Sequence, residues 1–140
     1  MRFMVLVPGD EGYKEGRMPS QQELATMGKF NEELVKAGVM LAGEGLHPTK
    51  KGAKLVFGQG KPRVVDGPFA EAKEVLGGFW LIQTKTREEA IEWMSRAPFP
   101  PGTTLVLRQV FDPSDFAASD PTGELRAKEA ELRKKIETRG

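Results

Sequence analysis

Asp66, Glu71, Lys73 and Glu74 stand within one nine-residue stretch, inside the run Val64–Gln83 that reads VVDGPFAEAKEVLGGFWLIQ. A carboxylate desolvated by apolar neighbours becomes a better base. Asp66, with Phe69, Phe79 and Trp80 close by in sequence, is therefore the leading candidate for proton transfer. Its competing role is that of a turn residue, whose short side chain bonds the backbone ahead of Gly67-Pro68; the two roles can coexist. His47 is the only imidazole in the chain, and hence the only side chain with an unperturbed pKa near neutrality. If the bend at Gly43–Gly45 brought it to Asp66, the pair would form an acid–base dyad. Otherwise it is a surface loop residue before Pro48.

Glu44 lies between two glycines that would let a ligand approach closely. Glu71 and Glu74 share a face if a helical turn forms there, with Lys73 softening their repulsion; solvated charge is the simpler alternative. The catalytic candidates are thus Asp66 and His47, and the ligand-binding candidates are Glu44, Phe69, Glu71, Lys73 and Phe79. No metal site is expected: the carboxylates match no known loop spacing, and one histidine with no cysteine argues against zinc. No cofactor is expected either, because the glycines at 9, 12 and 16 lack the lysine and Ser/Thr of a phosphate-binding loop.

These residues need a frame, and the composition allows one. The 140 residues are 39% hydrophobic and 29% charged, which suits a globular domain. A net charge of +1 argues against general nucleic-acid binding. Without cysteine, disulfides and thiolate chemistry are excluded, in keeping with a cytoplasmic setting. The apolar run at the N-terminus is too short for a signal segment or a membrane span, so no membrane association is expected.

Along the chain, Phe3–Val7 is a short apolar strand ended by Pro8-Gly9. Ser20 and Glu23 form a capping box ahead of a helix carrying Leu24, Met27, Phe30, Leu34 and Val35, with Gly38 placed for a left-handed stop. Val39–Ala42 predicts a second strand, with a bulge or bend at Gly43–Gly45. Ala53–Phe57 and Arg63–Asp66 predict a hairpin, and the strand ending at Val65 is expected in the core. Leu76–Gln83 predicts a long strand with Phe79 and Leu81 on one face, Trp80 and Ile82 on the other. A second capping box, Thr86 to Glu89, opens a helix that Pro98 stops, and Thr104–Phe111 is the last strand. The order β-α-β-hairpin-β-α-β is that of an α+β, ferredoxin-like split βαβ fold. Residues 112–140 form a linker and a charged helix, with Asp120 as N-cap, Pro121 at N1, and Leu125, Leu132 and Ile136 as a thin apolar stripe.

The segments Ala42-Gly43-Glu44-Gly45-Leu46 and Asp66-Gly67-Pro68-Phe69-Ala70-Glu71-Ala72-Lys73-Glu74-Val75-Leu76-Gly77-Gly78-Phe79 resemble the hallmark motifs of the YCII-related, DGPF-domain proteins, over residues 1–111. The resemblance implies a ferredoxin-like domain that pairs into a dimeric α+β barrel. Such proteins are typically small, bacterial and cytoplasmic, and some are encoded beside or fused to extracytoplasmic-function sigma factors. A histidine–aspartate pair proposed for related proteins would put Asp66, and with it His47, in a catalytic role. Two sheet faces both apolar also favour a homodimer, since a monomer would leave a large apolar patch. Three functions fit these residues: a small-molecule enzyme using Asp66 with or without His47, a non-catalytic small-ligand-binding or sensor domain, and an interaction module linked to sigma-factor regulation.

Overall fold

The computed structural model describes residues 1–9, 15–69 and 76–139. It divides into a unit spanning Met1–Gln109 and a second unit from Val110 onwards.

The first unit is built on a four-stranded antiparallel sheet. Its strands are β1 (Arg2–Pro8), β2 (Met40–Gly45), β5 (Leu76–Gln83) and β6 (Val106–Gln109), in the order β2-β5-β1-β6. Between β1 and β2 runs α1 (Gln21–Lys36), and between β5 and β6 runs α2 (Arg87–Ser95). Each helix thus connects two strands that have a third strand between them, which is the split βαβ arrangement. The helices begin where the caps dictate. Ser20 Oγ accepts from Glu23 N–H at 3.1 Å, and Thr86 Oγ1 accepts from Glu89 N–H at 3.1 Å. The Glu89 carboxylate reaches back one residue further than a capping box requires, accepting from Lys85 N–H. Gly38 adopts φ +71° after α1, a left-handed conformation that residues with a Cβ rarely adopt.

The core lies between the sheet and the two helices. Phe3 pairs with Ile82 and Val5 with Trp80 across the central strands. These side chains bury against Phe30 and Leu34 of α1 and against Ala90 and Met94 of α2. Trp80 is the centre of this layer, edge-on to Phe30 at 5.8 Å and to Phe99 at 6.1 Å. Its indole N–H donates to Asn31 Oδ1 at 2.9 Å, so the polar edge is satisfied. Phe79 and Leu81 occupy the opposite face, beside Leu6 and Met4.

In the first unit four expectations need correction. Among the described residues no sheet closes into a barrel: the four-stranded sheet is open, with β2 and β6 as its edges. Three strand spacings hold those edges roughly 14 Å apart, too far for main-chain bonds between them. The hairpin is not core either. β3 (Ala53–Val56) and β4 (Arg63–Asp66) make a separate two-stranded sheet, and Leu55 and Val64 are exposed. The second strand runs through the glycines to Gly45, and its irregularity falls at Leu41, between Met40 and Ala42. The last strand is shorter than its alternation implies, because only Val106–Gln109 are in the strand, with Phe3 to Leu6 opposite them in β1.

In the second unit, a 3₁₀ turn (Pro113–Phe116) precedes α3 (Glu124–Arg139). Asp120 lies one turn ahead of the helix, not adjacent to it. From there it accepts from the amides of Leu125 at 3.2 Å and Arg126 at 3.0 Å.

Candidate functional site

The Asp66-Gly67-Pro68-Phe69 turn is held by a second turn, the 3₁₀ segment Thr49–Lys51. Gly67 N–H donates to Gly52 O at 2.9 Å, adding a rung beyond the Ala53–Asp66 pair. Thr49 Oγ1 donates to Phe69 O at 3.2 Å and accepts from Phe69 N–H at 3.4 Å. A Cβ on Gly67 would collide with the Thr49 carbonyl. The Gly67–Pro68 peptide is cis. Lys54 Nζ lies 4.7 Å from the centre of the Phe69 ring, a cation–π contact.

Within this frame Asp66 and His47 are both exposed. Their segments are joined through Thr49, Gly52, Gly67 and Phe69, that is, by main chain and one hydroxyl. Phe69 is half-buried beneath Lys54. Glu44 is exposed on β2 opposite Phe79, on the sheet face away from the helices. The glycine before it serves the core: a Cβ on Gly43 would approach the Trp80 ring to 2.8 Å. Gly78 is equally constrained, since its Cβ would lie 2.8 Å from Glu44 O. Glu71 and Lys73 lie outside the described residues.

A cleft of about 1370 Å³ opens at the end of the sheet where β1 finishes and β5 begins. Leu6, Val7, Met27 and Phe99 supply apolar surface, while Arg17, Gln22, Glu23, Thr26 and Thr103 supply polar groups. Arg17 and Glu23 form an ion pair at 3.4 Å on its wall. Asp66, His47, Glu44, Phe69 and Phe79 are not among its lining residues, but Leu76 and Gly77 of the same motif are. The close approach of β1 to β5 depends on Gly77, whose Cβ would come within 3.2 Å of Pro8 O and Gly9 N. The cleft is not legible in the sequence because its residues come from four separate segments. The Pro98-Phe99-Pro100-Pro101-Gly102 run, which forms one wall, reads in sequence only as a helix stop. Among the described residues, no group of three or more acidic, histidine or cysteine side chains is placed to hold a metal ion. No helix of the described residues is long and apolar enough to cross a membrane.

The model of the YCII-related domain matches residues 1–112. The chain belongs to the YCII-related family. An uncharacterized protein of Rhizobium meliloti (strain 1021) is 33% identical to this YCII-related chain over 95 residues, which is 66% of the chain and 77% of that protein. Among solved structures, the 5-chloro-2-hydroxyhydroquinone dehydrochlorinase of Burkholderia phenoliruptrix AC1100, in complex with 2,5-dihydroxybenzoquinone, aligns with a TM-score of 0.38 and 18% identity. That alignment covers 81% of this chain and 98% of that one.

Proposed function

We propose that this YCII-related domain binds a small organic molecule in the cleft at the end of β1 and β5. The observation that carries the reading is the mixed lining: apolar Val7, Met27, Leu76 and Phe99 together with polar Arg17, Gln22 and Thr26. Concave sites of this mixed character are where small ligands lose the most water while keeping a few orienting hydrogen bonds. A thermal-shift screen of small carboxylic acids and phenols tests it, with Thr26→Trp as the cleft-filling variant. A hit should raise the melting temperature of the native protein and lose most of that effect in Thr26→Trp. An undiminished shift in the variant would place the ligand elsewhere.

A second reading gives Asp66, with or without His47, a role in acid–base turnover. It is favoured by the Thr49 hydroxyl, which ties the segment after His47 to the turn after Asp66 and so puts both on one local frame. Asp66→Asn should then abolish turnover of a screened ligand while keeping its binding. Equal turnover in the variant would leave Asp66 as a turn residue only.

The domain is also proposed to pair with a second copy through the open sheet face. Met4, Leu6, Phe79, Leu81 and Val106 share that face, opposite the helices. Light scattering should report a dimer for the native chain and a monomer for Leu81→Glu; a native monomer would remove this part of the proposal.

A further inference from the structure

The β3–β4 hairpin concentrates charge and apolar surface that neither the core nor the cleft uses. From Lys50 to Val65 the chain carries Lys50, Lys51, Lys54, Lys61 and Arg63 and no carboxylate, although the whole chain is balanced at +1. Its apolar side chains face outward: Leu55 is 59% exposed, Val64 60% and Phe57, at the tip, 77%. Leu55 and Val64 are direct partners in the ladder, and so lie on one face. The other face carries Lys54 opposite Val65 and Arg63 opposite Val56. One face therefore carries Leu55 and Val64 with Ala53 and Asp66 at its far end, and the other carries the two cations, Lys54 and Arg63, between Val56 and Val65.

Among the described residues the sheet has two strands, so β3 and β4 are both edge strands. The Gly67-to-Gly52 bond makes that rung a hydrogen-bonded pair. By the antiparallel alternation, the main-chain groups of Ala53 and Leu55 on β3, and of Val64 and Asp66 on β4, point away from the ladder. Three kinds of surface could cover such a hairpin, and two fit poorly. A second copy of the hairpin would set five cations against five. A bilayer interior offers nothing to outward-pointing amides and carbonyls. An extended acidic peptide meets every demand: its main chain completes the ladder, and its carboxylates face the lysines and Arg63.

We propose that the β3–β4 hairpin is a strand-addition site for an extended peptide segment in which acidic and aliphatic residues alternate. Alternate side chains of the added strand then fall on the Leu55/Val64 face and on the Lys54/Arg63 face.

The test uses a capped, fluorescein-labelled octapeptide alternating valine and glutamate, titrated with the full-length protein and followed by anisotropy. Saturable binding at low ionic strength is expected, weakening about tenfold or more at high salt as exposed charges are screened. Arg63→Glu with Lys61→Glu, both at exposed positions, should weaken binding by at least about tenfold while leaving the melting temperature unchanged. The same peptide N-methylated at alternate residues keeps its charge but loses the main-chain bonds, and should bind at least about tenfold more weakly. Equal affinity for the methylated peptide overturns strand addition. Absence of peptide binding, with or without binding to phosphatidylserine vesicles, overturns the proposal as well.

Discussion

Gly67 shows how a single residue can be required by geometry alone. It has no room for a side chain, because the Thr49 carbonyl occupies the position of a Cβ. Gly67→Ala should therefore cost about 1–3 kcal/mol, the usual range for forced overpacking, read from the shift in denaturation midpoint. Thr49→Val should cost about 1 kcal/mol, since it removes the hydroxyl that both donates to and accepts from Phe69. A different balance operates at Asp120, which is 6% exposed. Burial pushes its carboxyl up. The Arg126 amide and guanidinium and the Leu125 amide outweigh that and hold it below the ordinary value of 3.8. A depressed folded-state pKa contributes stability that is complete above 3.8 and lost as pH falls through the lowered value. The carboxyl ¹³C titration of Asp120 in the full chain should have its midpoint below 3.8; a midpoint at or above that value contradicts the assignment. Arg126→Met should move it upward.

The helices are the elements most legible from sequence, because their ends are written in local chemistry. Ser20 and Thr86 each satisfy an amide that the first helical turn leaves unpaired. Thr86→Ala should destabilise the first unit by about 1 kcal/mol, measured by urea denaturation, and Thr86→Ser should restore most of it. Strands are less legible, since their limits depend on what lies alongside. The alternation of Leu76–Gln83 correctly divides Trp80 and Ile82 from Phe79 and Leu81, because β5 is central and paired on both sides. Thr104–Phe111 alternates just as well but is in the strand only at Val106–Gln109. The hairpin has a strand's residue pattern too, yet Leu55, Phe57 and Val64 remain in solvent. Periodicity reports which residues share a face, not whether that face is covered.

At the scale of the whole molecule, the decisive feature is the single buried layer beneath the sheet. Trp80 touches α1 through Phe30 and Asn31 and reaches the loop after α2 through Phe99. Trp80→Ala should accordingly cost about 3–5 kcal/mol in chemical denaturation, well above any surface change on the hairpin. Among the described residues of the first unit, the opposite face has no comparable cover. Met4 is exposed, and Phe79 and Leu81 are half-buried. That asymmetry underlies the proposed self-association. The cleft at the sheet end is likewise a whole-molecule property, requiring β1, α1, β5, β6 and the proline-rich loop together.

What the sequence alone determined is the local part: two capped helices, the left-handed stop at Gly38, the faces of β5, the βαβ order, and a DGPF turn specific enough to place the family. Each rests on interactions between residues a few positions apart, or on a motif carried in one stretch. Only the tertiary structure decided that the sheet stays open, that the hairpin stands outside the core, that Gly43 makes room for Trp80, and that neither Asp66 nor His47 lines the cleft. These depend on distances between segments far apart in the chain, and residue spacing along a sequence does not encode those distances.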